Sequence, residues 1–133
     1  MRKRFWIQVL VLFVLAMALD ALLHGVLLKG RYDALGGLYR PDADQQRHLP
    51  WMLLAHLAYA FAFVWIYRHG HEERPWLTQG LRYGFAVALI AQIPTFLIYY
   101  AVQPLPGDLV AQQSFLGTAA VLLEGVVVAG MNR

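Results

Sequence analysis

Four long apolar stretches account for most of this 133-residue chain. A run of 18 or more apolar residues is long enough to cross a hydrocarbon core of ~30 Å as a helix that rises 1.5 Å per residue. The predicted spans occupy residues 5–28, 50–67, 80–102 and 109–131. The sequence therefore predicts an all-α fold: an integral membrane four-helix transmembrane bundle that forms a single domain over residues 1–133.

The composition supports a lipid environment. Hydrophobic residues make up 59% of the chain and charged residues 14%, against about 25% charged residues in a typical soluble domain. A chain this short has too little interior to hide so much apolar surface from water. The net charge of +3 comes from basic residues beside the apolar runs, which are typical of topology signals and lipid-headgroup contacts. The lipid bilayer is therefore an expected partner and nucleic acid is not.

The first span has an alternative interpretation as a secretory signal peptide. It starts with the basic cluster Arg2-Lys3-Arg4, and the small residues at Ala16-Met17-Ala18 resemble a cleavage site. However, the apolar character continues to Leu28, whereas a secretory core has ~7–15 residues. We therefore expect an uncleaved first helix.

Proline and glycine mark the limits of the spans. A polar loop with a turn at Gly36-Gly37 is predicted for residues 29–49, and Pro50 suits the first position of the second helix. The absence of cysteine excludes disulfides and thiolate metal sites. Pro94 lies inside the third span, where it removes a backbone donor and is expected to kink the helix.

Basic residues on the two sides of the membrane predict its orientation. With both termini inside, seven of the eleven Lys and Arg residues face the cytoplasm and four face outward. The cytoplasmic set is Arg2, Lys3, Arg4, Arg68, Arg74, Arg82 and Arg133. The sequence thus predicts a multi-pass, N-in and C-in protein of the bacterial inner (cytoplasmic) membrane. A homodimer is also expected, because one small bundle has little room to bury the polar groups within its spans.

Those polar groups are the strongest functional signal. An ionisable side chain at the membrane centre costs ~2.5–3.5 kcal/mol on insertion scales, so it usually has a partner or a purpose. By helical rise, Asp20 lies ~12 Å, His24 ~6 Å and His56 ~9 Å below the outer ends of their helices. Gln92 falls in the outer half of the third span, and Glu124 lies near the midplane as a deeper proton-coupled group. These five residues predict an outer-facing polar cavity that binds or passes a small ligand or cation.

Other functions remain open for the same residues. Each polar group taken alone is explained by helix packing or a local hydrogen bond, which would suit an accessory or scaffold subunit. His24 and His56 are at similar depth and could ligate a metal or haem in a redox or hydrolytic enzyme. The Glu-x-x-His motif of di-iron bundles is absent, so the metal and the cofactor stay unassigned. Ser114 lacks a nucleophile elbow, and no catalytic residue is predicted.

Short motifs at the first loop carry a family resemblance. The segment Asp20-Ala-Leu-Leu-His24-Gly-Val-Leu-Leu-Lys-Gly-Arg-Tyr32, followed by Leu38-Tyr39-Arg40-Pro41, resembles a family of small four-span bacterial membrane proteins of uncharacterised function. The resemblance implies the four-span fold and supplies no activity. It also implies that Asp20, His24, Tyr32, Arg40 and Pro41 act together at the outer face. The expected outer mouth of the cavity comprises Tyr32, Tyr39 and Arg40.

Overall fold

The computed structural model describes residues 2–133, which are 83% helical and contain no strand. Met1, part of the predicted 1–133 domain, lies outside the described residues. The helical elements are α1 (Arg2–Leu22), a first π-helical turn (Leu23–Leu27), α2 (Lys29–Asp33), α3 (Asp42–Arg47), α4 (Leu49–His69), α5 (Trp76–Val87), a second π-helical turn (Ala88–Gln92), α6 (Ile93–Val102) and α7 (Gly107–Met131).

Four continuous helical stretches are long and apolar enough to cross a membrane: Arg2–Leu27, Leu49–His69, Trp76–Val102 and Gly107–Met131. Their mean hydropathy lies between 1.7 and 2.4. The all-helical fold with four such helices is thus confirmed. The third begins before the predicted residue 80, because the extended backbone of Pro75 starts the helix at Trp76. Many large side chains on these helices are exposed, among them Ile90 and Phe115.

The first loop is more ordered than the predicted polar loop. Residues 29–49 contain α2 and α3, two short helices separated by a turn. Gly36 and Gly37 form the turn with φ angles of 52° and 90°, which lie in the left-handed region that glycine adopts without steric cost. Pro41 then precedes α3 with an extended backbone. The helices were not predicted because each has six or fewer residues, too few to show a helical period.

Contacts divide the chain into two compact units, of which the first ends at Ile66. In this unit α1 and α4 run antiparallel. The rings of Phe5 and Phe61 are 5.5 Å apart, whereas Asp20, near the other end of α1, contacts His56, which precedes Phe61 on α4. The two helices therefore meet in an aromatic contact at Phe5 and in a polar contact at Asp20.

The second unit comprises Tyr67–Arg133, and α5 packs closely on α7 within it. A Cβ added at Gly80 would lie 2.7 Å from the carbonyl oxygen of Gly125, and one added at Gly84 would lie 2.7 Å from that of Val121. These separations are shorter than van der Waals contact, so glycine is needed for the two backbones to approach. On α7 the matching close approach is at Gly125, whereas a Cβ added at Gly117 would meet the side chain of Gln92.

The interruption expected at Pro94 takes the form of the second π-helical turn. The N–H of Ile93 bonds to the carbonyl of Ala88, five residues earlier, so one extra residue is accommodated just before the proline. Thr95 Oγ1 donates to the carbonyl of Ala91 at 2.5 Å. The proline thus lies in the first turn of α6, where its missing N–H interrupts the hydrogen-bond pattern least.

Candidate functional site

The first π-helical turn places His24 beside the end of α1. The N–H of Leu28 bonds to the carbonyl of Leu23 at 2.9 Å, an i to i+5 bond. Asp20 is on the preceding turn, and its Oδ1 lies 3.4 Å from Nε2 of His24, as their i,i+4 spacing allows. Single π-helical turns within α-helices often occur at functional sites.

The carboxylate of Asp20 lies between two imidazoles from different helices. Its Oδ1 faces His24, and its Oδ2 lies 3.5 Å from Nε2 of His56 on α4. The side chains of Asp20 and His24 are 36% and 34% exposed, and that of His56 is 17% exposed. The three groups are therefore partly desolvated but still open on one side.

The second nitrogen of each imidazole also has a partner. Nδ1 of His24 lies 2.5 Å from the hydroxyl oxygen of Tyr32 on α2, and the two rings stack with centroids 5.7 Å apart. Nδ1 of His56 donates to the carbonyl oxygen of Met52 at 2.8 Å. We refer to Asp20, His24, His56 and Tyr32 as the carboxylate–imidazole cluster. Its members come from α1, the π-helical turn, α4 and α2.

Tyr39 extends the cluster through an aromatic contact. Its ring centroid lies 5.0 Å from that of Tyr32, and its side chain is exposed. Arg40, the third residue expected at the outer mouth, turns to α3 instead, where its guanidinium donates to Asp44 at 2.8 Å. Tyr32 and Tyr39 are thus connected to His24, directly and through Tyr32, whereas Arg40 pairs with Asp44 within the first loop.

Ion pairs stabilise the loop that carries Tyr32. Nζ of Lys29 lies 3.4 Å from Asp33 and 3.6 Å from Asp42, which connects α2 to α3. The negative charge of Asp33, with a smaller contribution from Asp42, raises the pKa of Lys29. The hydrogen bond from Arg40 lowers the pKa of Asp44. Both shifts favour the charged forms that maintain the loop at neutral pH.

The remaining predicted site residues lie in the second unit. Gln92 ends the second π-helical turn, half-buried, and a Cβ added at Gly117 would lie 2.9 Å from its Oε1. Glu124 is 4% exposed on α7 and shares its buried face with Gln113 and Gly117. That Gln92 and Glu124 join Asp20, His24 and His56 in one cavity stays a prediction.

His24 and His56 were also candidates for ligating a metal or haem, which stays a prediction. Within residues 2–133, no three His, Cys, Asp or Glu side chains are grouped so that they could hold a metal ion. Nε2 of His24 and Nε2 of His56 both face the Asp20 carboxylate, and both Nδ1 atoms already have partners.

Sequence reasoning missed several buried amides. Gln8 on α1 is fully buried and Gln79 on α5 is 7% exposed; Gln79 lies 3.5 Å from the carbonyl oxygen of Gly70. The signal for Gln8 was present, since an amide inside an apolar run must find a partner. The Met52 carbonyl left no signal, because it becomes an acceptor only through the rotamer of His56.

No family model, no curated protein and no solved structure matches the chain significantly. Its function is therefore inferred from its own side chains.

Proposed function

We propose that this chain is a multi-pass protein of the bacterial inner membrane with both termini in the cytoplasm. The four apolar helices and their exposed apolar side chains support insertion, and the excess of basic residues on one side supports the orientation. The chain has no cysteine, so single cysteines at Arg40 and His71 report topology without background. A membrane-impermeant maleimide should label position 40 and not position 71 in intact cells. Labelling of position 71 from the periplasm would refute this orientation.

We further propose that the carboxylate–imidazole cluster binds a small cation and that the protein is not an enzyme. The observation that carries this proposal is the Asp20 carboxylate, which lies half-exposed between His24 and His56. A partly desolvated carboxylate attracts positive charge strongly, because the surrounding dielectric is low. Tyr32 and Tyr39 would line the approach to the site, and Glu124 would serve as a separate, deeper proton-titratable group.

The proposal includes a homodimer. Asp20 and His24 remain about one-third exposed in the single chain, and a second copy would reduce their contact with lipid. The oligomeric state can be tested separately from cation binding. Chemical cross-linking in native membranes should trap a dimer, and the molecular mass of the detergent-solubilised protein should be that of two chains.

Cation binding is tested with the full-length protein purified in detergent. Its unfolding temperature is measured in NaCl, KCl and methylammonium chloride against choline chloride at equal ionic strength, from pH 6 to pH 8. A cation that binds the folded state raises this temperature by mass action, so at least one salt, or the proton itself, should stabilise the wild type.

The matched variants are Asp20→Asn, which removes the central charge, and Asp33→Asn, which removes a carboxylate in the loop outside the cluster. Asp20→Asn should lose the dependence on the stabilising cation, and Asp33→Asn should keep it. If Asp20→Asn and the wild type respond identically to every salt and to pH, the cluster is structural and the proposed function is wrong.

A further inference from the structure

The two imidazoles of the cluster differ in which ring nitrogen their hydrogen bonds require to be protonated. Nδ1 of His56 lies 2.8 Å from the carbonyl oxygen of Met52. A carbonyl oxygen only accepts, so Nδ1 must carry the proton. In a neutral imidazole with its proton on Nδ1, Nε2 is an acceptor. Nε2 of His56 faces Oδ2 of Asp20 at 3.5 Å, which would place two acceptors opposite each other.

His24 faces no such conflict. Its Nδ1 lies 2.5 Å from the hydroxyl of Tyr32, and a hydroxyl can donate as well as accept. A neutral His24 can therefore accept from Tyr32 at Nδ1 and donate from Nε2–H towards Oδ1 of Asp20, 3.4 Å away. His24 satisfies both neighbours without an additional proton, and His56 does not.

We infer that the space between Oδ2 of Asp20 and Nε2 of His56 is a binding site for one exchangeable proton. This inference rests on the proposed function and names the cation. With the proton bound, either an imidazolium donates to a carboxylate or a carboxylic acid donates to a neutral imidazole. With the proton released to water, two lone pairs oppose each other and the contact between α1 and α4 weakens. The occupancy of one proton thereby controls that contact.

The ligands at this position favour a proton over a metal cation. Hard cations such as Na⁺ and Mg²⁺ take sets of oxygen ligands, whereas the space offers one carboxylate oxygen and one imidazole nitrogen. The groups that face it are the His24 imidazole, the Tyr32 hydroxyl behind it and the Met52 carbonyl across the His56 ring. The nearby ammonium of Lys29 pairs with carboxylates of the loop.

The test is ¹⁵N NMR of the imidazole nitrogens in full-length, histidine-labelled protein in detergent micelles at pH 7. His24→Gln and His56→Gln assign the signals among the five histidines, and an infrared spectrum of the wild type reports whether any carboxylic acid is present. His24 should show one protonated nitrogen, Nε2. His56 should show either two protonated nitrogens, or one together with a carboxylic acid band that Asp20→Asn removes.

Asp20→Asn should convert His56 to the neutral Nδ1–H form, and Asp33→Asn should leave it unchanged. If Asp20→Asn does not fold, two protonated nitrogens on His56 in the wild type still support the inference, and a carboxylic acid band counts for Asp20 only if Glu124→Gln leaves it in place. A neutral His56 with an ionised Asp20 overturns the inference. If NaCl or KCl then shifts the His56 signal, a cation occupies the site and the proposed function stands without the proton. If no salt shifts it, both proposals fail.

Discussion

The contact between Asp20 and His56 predicts a measurable coupling between α1 and α4. The perturbation is Asp20→Leu, His56→Leu and the double variant, each compared with the wild type by its free energy of unfolding. Removing Asp20 leaves a partly desolvated His56 without its carboxylate, and removing His56 leaves Asp20 with His24 as its remaining imidazole. Removing both replaces the pair with apolar side chains of similar size. The double variant should therefore be less destabilised than the sum of the two single variants.

The magnitude follows from distance and exposure. Two unit charges 3.5 Å apart interact by roughly 5 kcal/mol at an effective dielectric constant of ~20, which is an upper bound. Exposed pairs contribute about 0.2–1 kcal/mol, and breaking a buried pair costs about 3–5 kcal/mol. Since the two side chains are 17% and 36% exposed, we expect a coupling free energy of about 2 kcal/mol, between these two ranges.

The assay is reversible unfolding by SDS in mixed micelles, followed by far-ultraviolet circular dichroism. The control cycle uses Lys29 and Asp33, whose atoms are also 3.4 Å apart but whose side chains are 47% and 64% exposed. Its coupling should be much smaller than that of Asp20 and His56, because water screens exposed pairs. If the stability losses of Asp20→Leu and His56→Leu add within about 0.5 kcal/mol, the two side chains do not interact. In that case α4 contributes no side chain to the proposed cation site.

Three further predictions concern single residues in the two units. Tyr32→Phe removes the hydroxyl that donates to Nδ1 of His24, so the unfolding free energy should fall by about 1 kcal/mol. The ¹⁵N NMR signal of that Nδ1 should shift, while Nε2 stays protonated. Gly84→Ala places a methyl group 2.7 Å from a backbone carbonyl of α7 and should cost about 1–3 kcal/mol in SDS unfolding, whereas Gly25→Ala meets nothing within 4 Å and should cost nothing. The hydrogen bond from Arg40 lowers the pKa of Asp44 below its ordinary value of 3.8. The ionised Asp44 therefore stabilises the folded state fully above pH 3.8, and this stabilisation is lost as the pH falls through the lowered pKa. The amide NMR signals of α3 should then shift in acid, and Asp44→Asn should remove that shift.

The long helices were predictable because their signal is additive. Each apolar residue adds to the hydropathy of a span, so errors at the ends, such as the start at Trp76, leave the helix itself unchanged. The π-helical turns carry no comparable signal. A turn with one extra residue at Leu23–Leu27 leaves the apolar composition unaltered and depends on which hydrogen bonds the backbone can complete.

The candidate site shows the same division between local and tertiary information. Helical spacing alone put Asp20 and His24 on one face, since residues four apart are neighbours on a helix. Depth from the helix ends put His56 at a similar level. Only the family resemblance grouped Tyr32 with His24, and helical spacing could not give their hydrogen bond. That bond depends on α2 folding back after the π-helical turn, and a five-residue helix is not stable without tertiary contacts.

The first unit joins α1 and α4 by two kinds of contact that respond differently to a proton. At one end the rings of Phe5, Trp6 and Phe61 pack with centroids 5.2–6.0 Å apart, and apolar packing does not depend on pH. At the other end, 15 residues or ~22 Å along α1, the contact is the Asp20–His56 pair. On the proposed proton site, release of the proton would weaken the Asp20–His56 contact and would leave the aromatic contact of Phe5 and Phe61 unchanged.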